Sequence, residues 1–582
     1  MKMLKKKGIV FTLIIFVIIL ALAITARASI YSGIVTETFD FNGMDGTKIH
    51  AVIYRPPNAE KKLPAVIVVH GFGESHSTMN AINTELARHG ILVMSIDYRG
   101  HGDSDGGVNY IGDPLLAPNI SNDLFAAYQK LLTRTDIDVS RIGVIGHSMG
   151  SRAALVFSAF VPTMATIMIG PYYVWETALV NTTIPRNLLI IVGENDIITP
   201  PDLGRELFSK ATGYMGREGE VYGDFSNGTA RKLCIISGAD HYTVLTSEEA
   251  IKEILNWLYN SFGISGVPEI VVNPSILATS TFVSYLVLIL IFPVIYYTNK
   301  TISNKFKPGK EIKLPYGKSL GVIFVIVGII AYILIAYYSF PMVVDVGWKN
   351  YRLFMLSGAQ YTIYYFYYLL LPIFISFVVI GAVLLGLKVI NLNMIKEKVL
   401  GGLMLGIVLS IVTFIWVFIG FNIAFTEFYG DYLLTARRIF ALLFLMTILY
   451  PLLFIDEIFL RYVIQENVPI NKKPLKMLLV IIIEYLIRIV PLMLWFTVAL
   501  NKPALVDIIY NYYRAGLISD MTIVVAFLPM NAYSLYYSFA SIELFHATSA
   551  TYIYEETKNV PSTTLLRALL LSFTMAAALP FL

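Results

Sequence analysis

From Ile276 onward the chain runs in long apolar stretches separated by short polar ones, and this pattern constrains the fold more than any other feature. A bilayer is crossed by about 20 apolar residues of helix. Stretches near that length lie at 276–298, 319–340, 363–387, 400–425, 438–460, 476–499, 521–545 and 563–581. They predict a polytopic all-α transmembrane domain of about eight helices over residues 276–582. Composition agrees: only 14% of the 582 residues are charged and mean hydropathy is +0.67. A typical soluble domain carries roughly a quarter charged residues.

The first half reads differently. Lys2, Lys5, Lys6 and Lys7 precede the apolar run Ile9–Thr25, which predicts a signal-anchor or signal peptide over residues 1–29. "ARAS", Ala26 to Ser29, has the small residues of a cleavage site, and the length of the run favours an anchor. Residues 30–263 mix polar, charged and apolar segments as a globular domain does. Pro268 and Pro274 then mark a linker over 264–275. Positive residues concentrate between alternate spans, at Lys300, Lys305, Lys307, Lys310 and Lys313, at Lys388, Lys396 and Lys398, and at Lys472, Lys473 and Lys476. The positive-inside rule therefore sets a multi-pass protein of the cell membrane with residues 30–263 extracytoplasmic. Arg437 and Arg438 run against this rule, at an outer end. Sequons at Asn119, Asn181 and Asn227 fall in the outer part. A net charge of +4 makes no case for nucleic acid. The single cysteine, Cys234, allows no intrachain disulfide and no cysteine metal cluster, and it reads as a buried strand residue in "LCIIS".

Within residues 33–262, apolar runs of strand length alternate with helix-like segments. "IVTETFDF" and "KIHAVIYRP" form a hairpin, and "PAVIVVHG", "ILVMSIDYRG", "RIGVIG", "MATIMIG", "NLLIIVG" and "RKLCIIS" read as further strands. Such alternation predicts a mostly parallel sheet with helices on both faces. On that scaffold Gly146-His147-Ser148-Met149-Gly150 lies on a strand-to-helix turn. Small residues at Gly146 and Gly150 would let Ser148 project its hydroxyl above the sheet. Acid and histidine are expected further along the chain at strand ends. Asp196 follows "NLLIIVG" and His241 follows "RKLCIIS", with Asp240 as an alternative acid. Backbone N–H groups of Phe72 and Met149 would complete an oxyanion hole.

"VVHGFGESHSTMNAINTELARHGILVMSIDYRGHGDSDG" followed by "GVIGHSMG" resembles the α/β-hydrolase superfamily, in particular its serine aminopeptidase and monoglyceride-lipase-like group. The resemblance covers residues 33–262. It implies Ser148 as nucleophile, His241 as general base and then acid, and Asp196 as its orienting carboxylate. The implied reaction is acyl transfer to water through an acyl-enzyme, on a small-molecule or lipid ester or peptide substrate, with no cofactor and no metal. Arg99, His101 and Asp103 in "DYRGHGDSDG" read as structural. Only "PYYVWETALVNTTIPR" separates two strands where many relatives insert a lid. The site is therefore open, or covered by the membrane domain, with Tyr172, Tyr173 and Trp175 as candidate pocket residues.

In the membrane half, Asp456, Glu457 and Arg461 of "DEIFLRYVIQ" form a possible polar site, because charges within spans need a partner or a task. Glu484 and Arg488 are spaced to pair on one helix face. "DEIFLR" resembles the Glu-Glu-x-x-x-Arg motif of the CAAX-protease and bacteriocin-processing intramembrane family, with Asp456 replacing the first Glu. That family's histidines are missing: Asn531 follows Phe527 in "FLPMN", Arg567 occupies the later position, and His546 is the only histidine of this half. The resemblance implies a degenerate, non-proteolytic relative; the alternative is a generic helical bundle with salt-bridged polar residues. The leading reading is a membrane-bound serine hydrolase. Its rivals are an intramembrane protease acting at Glu457, and a transporter or receptor with a ligand-binding hydrolase-like domain. The intact Ser148-Asp196-His241 set counts against the last.

Overall fold

The computed structural model describes residues 2–57, 61–107, 116–172, 176–266, 274–305, 318–349, 363–364, 366–370, 375, 402–425, 435–499, 502–518 and 543–578. A long helix, α1 (Lys2–Ile30), leads into an eight-stranded sheet. Its strands are β1 (Val35–Asn42), β2 (Lys48–Arg55), β3 (Leu63–Val69), β4 (Leu92–Asp97), β5 (Ile137–His147), β6 (Ala165–Ile169), β7 (Leu188–Gly193) and β8 (Arg231–Ile236). Their order is β1-β2-β4-β3-β5-β6-β7-β8. β1 and β2 form the expected antiparallel hairpin, β2 joins β4 antiparallel, and every later pairing is parallel. Helices α2 (Asn80–Arg88), α3 (Leu116–Leu132), α4 (Met149–Phe160), α5 (Pro201–Ala211) and α6 (Glu248–Phe262) connect or follow these strands.

Strand alternation divides the core into two layers. Ala65, Ile67 and Val69 of β3 pack with Ile120 and Leu124 of α3 and with Ala153 and Phe157 of α4. Val66 and Val68 point the other way, onto Ile82 and Leu86 of α2 and Ile254, Leu255 and Leu258 of α6. Both faces are covered, so β3 is buried along its whole length, as a central parallel strand must be. Cys234 is buried in β8. The end of α6 is set by Gly263, whose φ of 65° closes the helix in the left-handed region.

The described residues of the membrane half form helices joined by short turns. It contains α7 (Pro274–Ser303), α8 (Lys318–Lys349), α9 (Leu403–Phe425), α10 (Ala436–Ile458), α11 (Lys473–Ala499), α12 (Lys502–Arg514), α13 (543–557) and α14 (Val560–Ala578). A π-helical segment, Phe459–Gln465, continues α10. Among the described residues four helices are long and apolar enough to cross a membrane: Ser319–Val346, Leu403–Asn422, Ala436–Gln465 and Lys473–Trp495. The expected spans at 363–387 and 521–545 fall mostly outside the described residues, as does most of the linker 264–275. Phe16 and Ala23 of α1 are buried against Val283, Val287 and Val294 of α7. "ARAS" lies inside the continuous helix α1.

The expected pairing of Glu484 with Arg488 is replaced by longer-range partners. Glu484 meets Arg461 at 2.6 Å, while Arg488 reaches Asp456 at 3.1 Å and also pairs with Glu543. All of these side chains are buried. In such surroundings a charge takes whichever opposite partner the neighbouring helices bring closest, so sequence spacing alone does not decide the pair.

Candidate active site

The turn at Ser148 is strained in the way a projecting nucleophile requires. Ser148 has φ 51° and ψ −119°, a region that side chains other than glycine rarely occupy. Its N–H donates to the Ile169 carbonyl at 2.9 Å, which ties the turn to the neighbouring strand β6. The flanking glycines have a steric cause. A Cβ on Gly146 would lie 2.2 Å from the Gly150 carbonyl oxygen, and one on Gly150 would lie 2.5 Å from that of His70. Side chains at either position would push the helix off the sheet. Ser148 remains partly exposed while its neighbours His147 and Met149 are buried.

Asp196 and His241 are brought together from the ends of β7 and β8. The Asp196 Oδ2 to His241 Nδ1 distance is 2.7 Å. The carboxylate also accepts from Ile198 N at 2.9 Å, from Thr199 N at 2.8 Å and from Thr199 Oγ1 at 2.8 Å. Burial alone would raise the Asp196 carboxyl. The hydrogen bond and charge of His241, with the Thr199 donors, hold it below its ordinary value. Asp240 faces elsewhere, accepting from Tyr242 N, Thr243 N and Thr243 Oγ1. The structure thus sets Asp196, not Asp240, against the imidazole.

Phe72 follows β3 and Met149 opens α4, so both candidate oxyanion donors lie at the same carboxyl edge of the sheet as Ser148. Among the described residues neither N–H has an acceptor. Arg99 bridges Asp123 and Asp45 and pins the loop after β4. His101 is buried between Phe72, His70 and Tyr98, and the Asp103 N–H donates to Asp97 Oδ2 at 3.0 Å. These three residues hold the loop, as expected. Tyr172 donates its N–H to Ser151 Oγ at 2.9 Å and packs on the α3/α4 side of the core. Tyr173 and Trp175 lie outside the described residues. The short crossing that follows is fixed by a buried ion pair, Arg152 Nε to Glu176 Oε1 at 2.5 Å.

Two groups of residues escaped the sequence reading. Glu74 and His147 form a buried pair beside His241, and neither spacing nor motif joins them. Arg437 and Arg438, at odds with the charge rule, meet the loop that follows β4. Arg437 Nη1 donates to the Gly106 carbonyl at 2.5 Å, and Arg438 Nη2 to that of Gly102 at 3.1 Å. Arg438 also reaches the Ala576 carbonyl near the end of α14 at 2.6 Å. The membrane half therefore contacts the edge of the sheet that carries Ser148.

The polar group of the membrane half is larger than the sequence suggested. Asp456 and Glu457 end α10, and Arg461 sits on the π-helical segment. Arg461 meets Glu457 at 3.0 Å, Glu457 meets His546 at 3.0 Å, and Arg567 pairs with Asp456 and, at 3.0 Å, with Glu543.

Residues 60–185 match the family described as serine aminopeptidase, S33. Among curated proteins, an uncharacterised Mycobacterium tuberculosis protein is 29% identical over 108 residues, 18% of this chain and 28% of that one. YfhR of Salmonella typhi is 28% identical over 124 residues, 20% of this chain and 39% of that one. Phospholipase A1 of Vespula vulgaris is 28% identical over 131 residues, 21% of this chain and 39% of that one. The chain thus spans well under half the length of these relatives. Among solved structures, the α/β hydrolase GrgF from Penicillium sp. sh18 aligns at 15% identity and TM-score 0.31, covering 39% of this chain and 99% of that one. A CIB-like hydrolase from Thermoplasma acidophilum aligns at 19% identity and TM-score 0.30, over 39% of this chain and 100% of that one. The family match, together with the mostly parallel sheet, supports an α/β-hydrolase fold and a hydrolase.

Proposed function

We propose that the chain is a membrane-bound serine hydrolase that cleaves an ester or amide of an acyl substrate through Ser148, His241 and Asp196. The observation that carries this reading is the Asp196–His241 pair at 2.7 Å on the same sheet edge as a serine held at φ 51°. Asp196 accepts from Nδ1–H of His241, which leaves Nε2 unprotonated and able to take the Ser148 proton as the hydroxyl attacks the acyl carbon. The oxyanion that forms meets the N–H groups of Phe72 and Met149. His241 then gives its proton to the leaving group, and water repeats the sequence on the acyl-enzyme.

The contacts of Arg437 and Arg438 favour a substrate drawn from the membrane. They set the loop beside Phe72 against helix ends of the membrane half, so an acyl chain leaving a bilayer has a short path to Ser148. We place the hydrolase domain on the extracytoplasmic side, with α1 as an anchor and about eight further spans. The charge distribution supports that orientation. The grouping of the end of α1, the start of α10 and the end of α14 on the hydrolase side agrees with the alternation of spans.

For the membrane half we infer a degenerate, non-proteolytic relative of the CAAX-protease and bacteriocin-processing family. Arg567, where that family carries a histidine, is committed to Asp456 and Glu543 and offers no lone pair to a metal. Asn531 lies outside the described residues.

A fluorophosphonate probe on membranes tests the main reading. Wild type should be labelled and Ser148→Ala should not. Equal labelling of the two would overturn it.

A further inference from the structure

His147 is fully buried and offers both ring nitrogens to acceptors. Nδ1 lies 3.1 Å from the Glu74 carboxylate, and Nε2 lies 3.0 Å from the His241 carbonyl oxygen. A carbonyl oxygen cannot donate, and an ionised carboxylate cannot either. With Glu74 ionised, both contacts are hydrogen bonds at once only when both nitrogens carry protons. Glu74 in turn accepts the Gly71 N–H at 2.6 Å, in the loop whose next residue is Phe72.

We propose that His147 is a positioning residue, a buried imidazolium paired with Glu74 that ties the oxyanion loop, the serine turn and the His241 loop into one unit. The inference rests on the roles of Ser148, His241 and Asp196 given above. Three segments far apart in sequence meet at this one pair: 71–74 after β3, 147–148 at the end of β5 and 241 after β8. Each carries a different part of the chemistry, so rigid joining here fixes their mutual geometry. The imidazolium also sets a fixed positive charge beside the reacting groups, with its ring 4.7 Å from that of His241. That charge faces Glu74, Asp196 and His241, with the Tyr242 ring 6.4 Å away.

The electrostatics agree in sign. Burial would lower His147, but the charge and hydrogen bond of Glu74 outweigh it and raise the imidazole above its ordinary value. Burial would likewise raise Glu74, and the His147 charge pulls it below the usual carboxylate range. A raised histidine contributes fully below its unfolded value of about 6.5. It loses that contribution as pH climbs through the folded value.

Glu74→Gln keeps the shape of the contact and removes its charge, so the test uses that variant in full-length protein, with Glu74→Asp as the conservative control. Fluorophosphonate capture at Ser148 is followed from about pH 6 to about pH 9, and thermal unfolding is recorded over the same interval. Without the Glu74 charge, burial leaves the His147 imidazole neutral, so near pH 6 Glu74→Gln should already capture the probe roughly 10- to 100-fold more slowly than wild type. That gap should narrow as pH climbs and wild type itself declines. Glu74→Asp should restore the wild-type profile. In wild type Tm should fall as pH rises through the alkaline range, and in Glu74→Gln that slope should flatten. A Glu74→Gln profile that matches wild type, or is lowered equally at every pH, would overturn the proposal. If Ser148 of the wild type takes no probe, the hydrolase reading fails, and the Tm slopes still decide the His147–Glu74 pair.

Discussion

The two halves of the molecule bury charge in opposite ways. In the hydrolase half, the buried charges around Ser148 stand at strand ends and in loops along one edge of the sheet. There Asp196, His241, Glu74 and His147 are met by backbone donors and acceptors as well as by one another. In the membrane half, Asp456, Glu457, Arg461, Glu484, Arg488, Glu543, His546 and Arg567 are met chiefly by each other, across several helices. Helical backbone is already satisfied internally and has little to offer a buried side chain. A sheet edge can hold a charge ready for chemistry. A helix bundle can hold one only by neutralising it, so the first cluster suits catalysis and the second suits cohesion.

This contrast is easiest to break at its two extremes. Asp196→Asn should cost about 10⁴-fold in hydrolysis, because the amide no longer fixes the Nδ1–H tautomer of His241. Rates on a soluble ester measure it, with circular dichroism unchanged. An equal loss of fold would place Asp196 with the cohesive charges instead. Arg461→Leu should do the reverse. Leaving Glu457 and Glu484 without their guanidinium should cost about 3–5 kcal/mol of stability. Thermal unfolding in detergent reads that loss, and probe capture at Ser148 in the surviving folded protein should stay near wild type. Loss of capture without loss of stability would give the membrane cluster a catalytic part.

The smallest expected effect sharpens the boundary between the halves. Arg437→Ala combined with Arg438→Ala should leave hydrolysis of a soluble ester near wild type. Hydrolysis of a bilayer-embedded acyl substrate in proteoliposomes should fall by roughly 10-fold, since the helix ends no longer hold the loop beside the site. Equal effects on both substrates would reduce the contact to simple packing.

What the sequence revealed follows from the same difference. A parallel sheet fixes the order in which its carboxyl-edge loops appear, so the placement of Ser148, Asp196 and His241 along that edge was legible from strands and turns. The glycines were legible too, because the close approach at Gly146 and Gly150 admits no Cβ. The Glu74–His147 pair was not: its partners lie 73 positions apart, one in the loop after β3 and the other at the end of β5, and only the folded sheet sets them side by side. The same holds for Arg437 and Arg438, whose partners lie more than 300 positions away, so the charge rule read them as exceptions. In the bundle, helix spacing suggested Glu484 with Arg488, whereas packing chose Arg461, Asp456 and Glu543. Glu543, a charge within the expected span 521–545, went unremarked, and His546 stood out only as the lone histidine of this half.

The central claim is that covalent chemistry belongs to the hydrolase half alone. Peptide mapping by mass spectrometry of fluorophosphonate-treated full-length protein tests it most directly. The account predicts one adduct, on the peptide that contains Ser148, and its disappearance in Ser148→Ala. An adduct on any peptide from residues 274–578, or one that persists in Ser148→Ala, would contradict it.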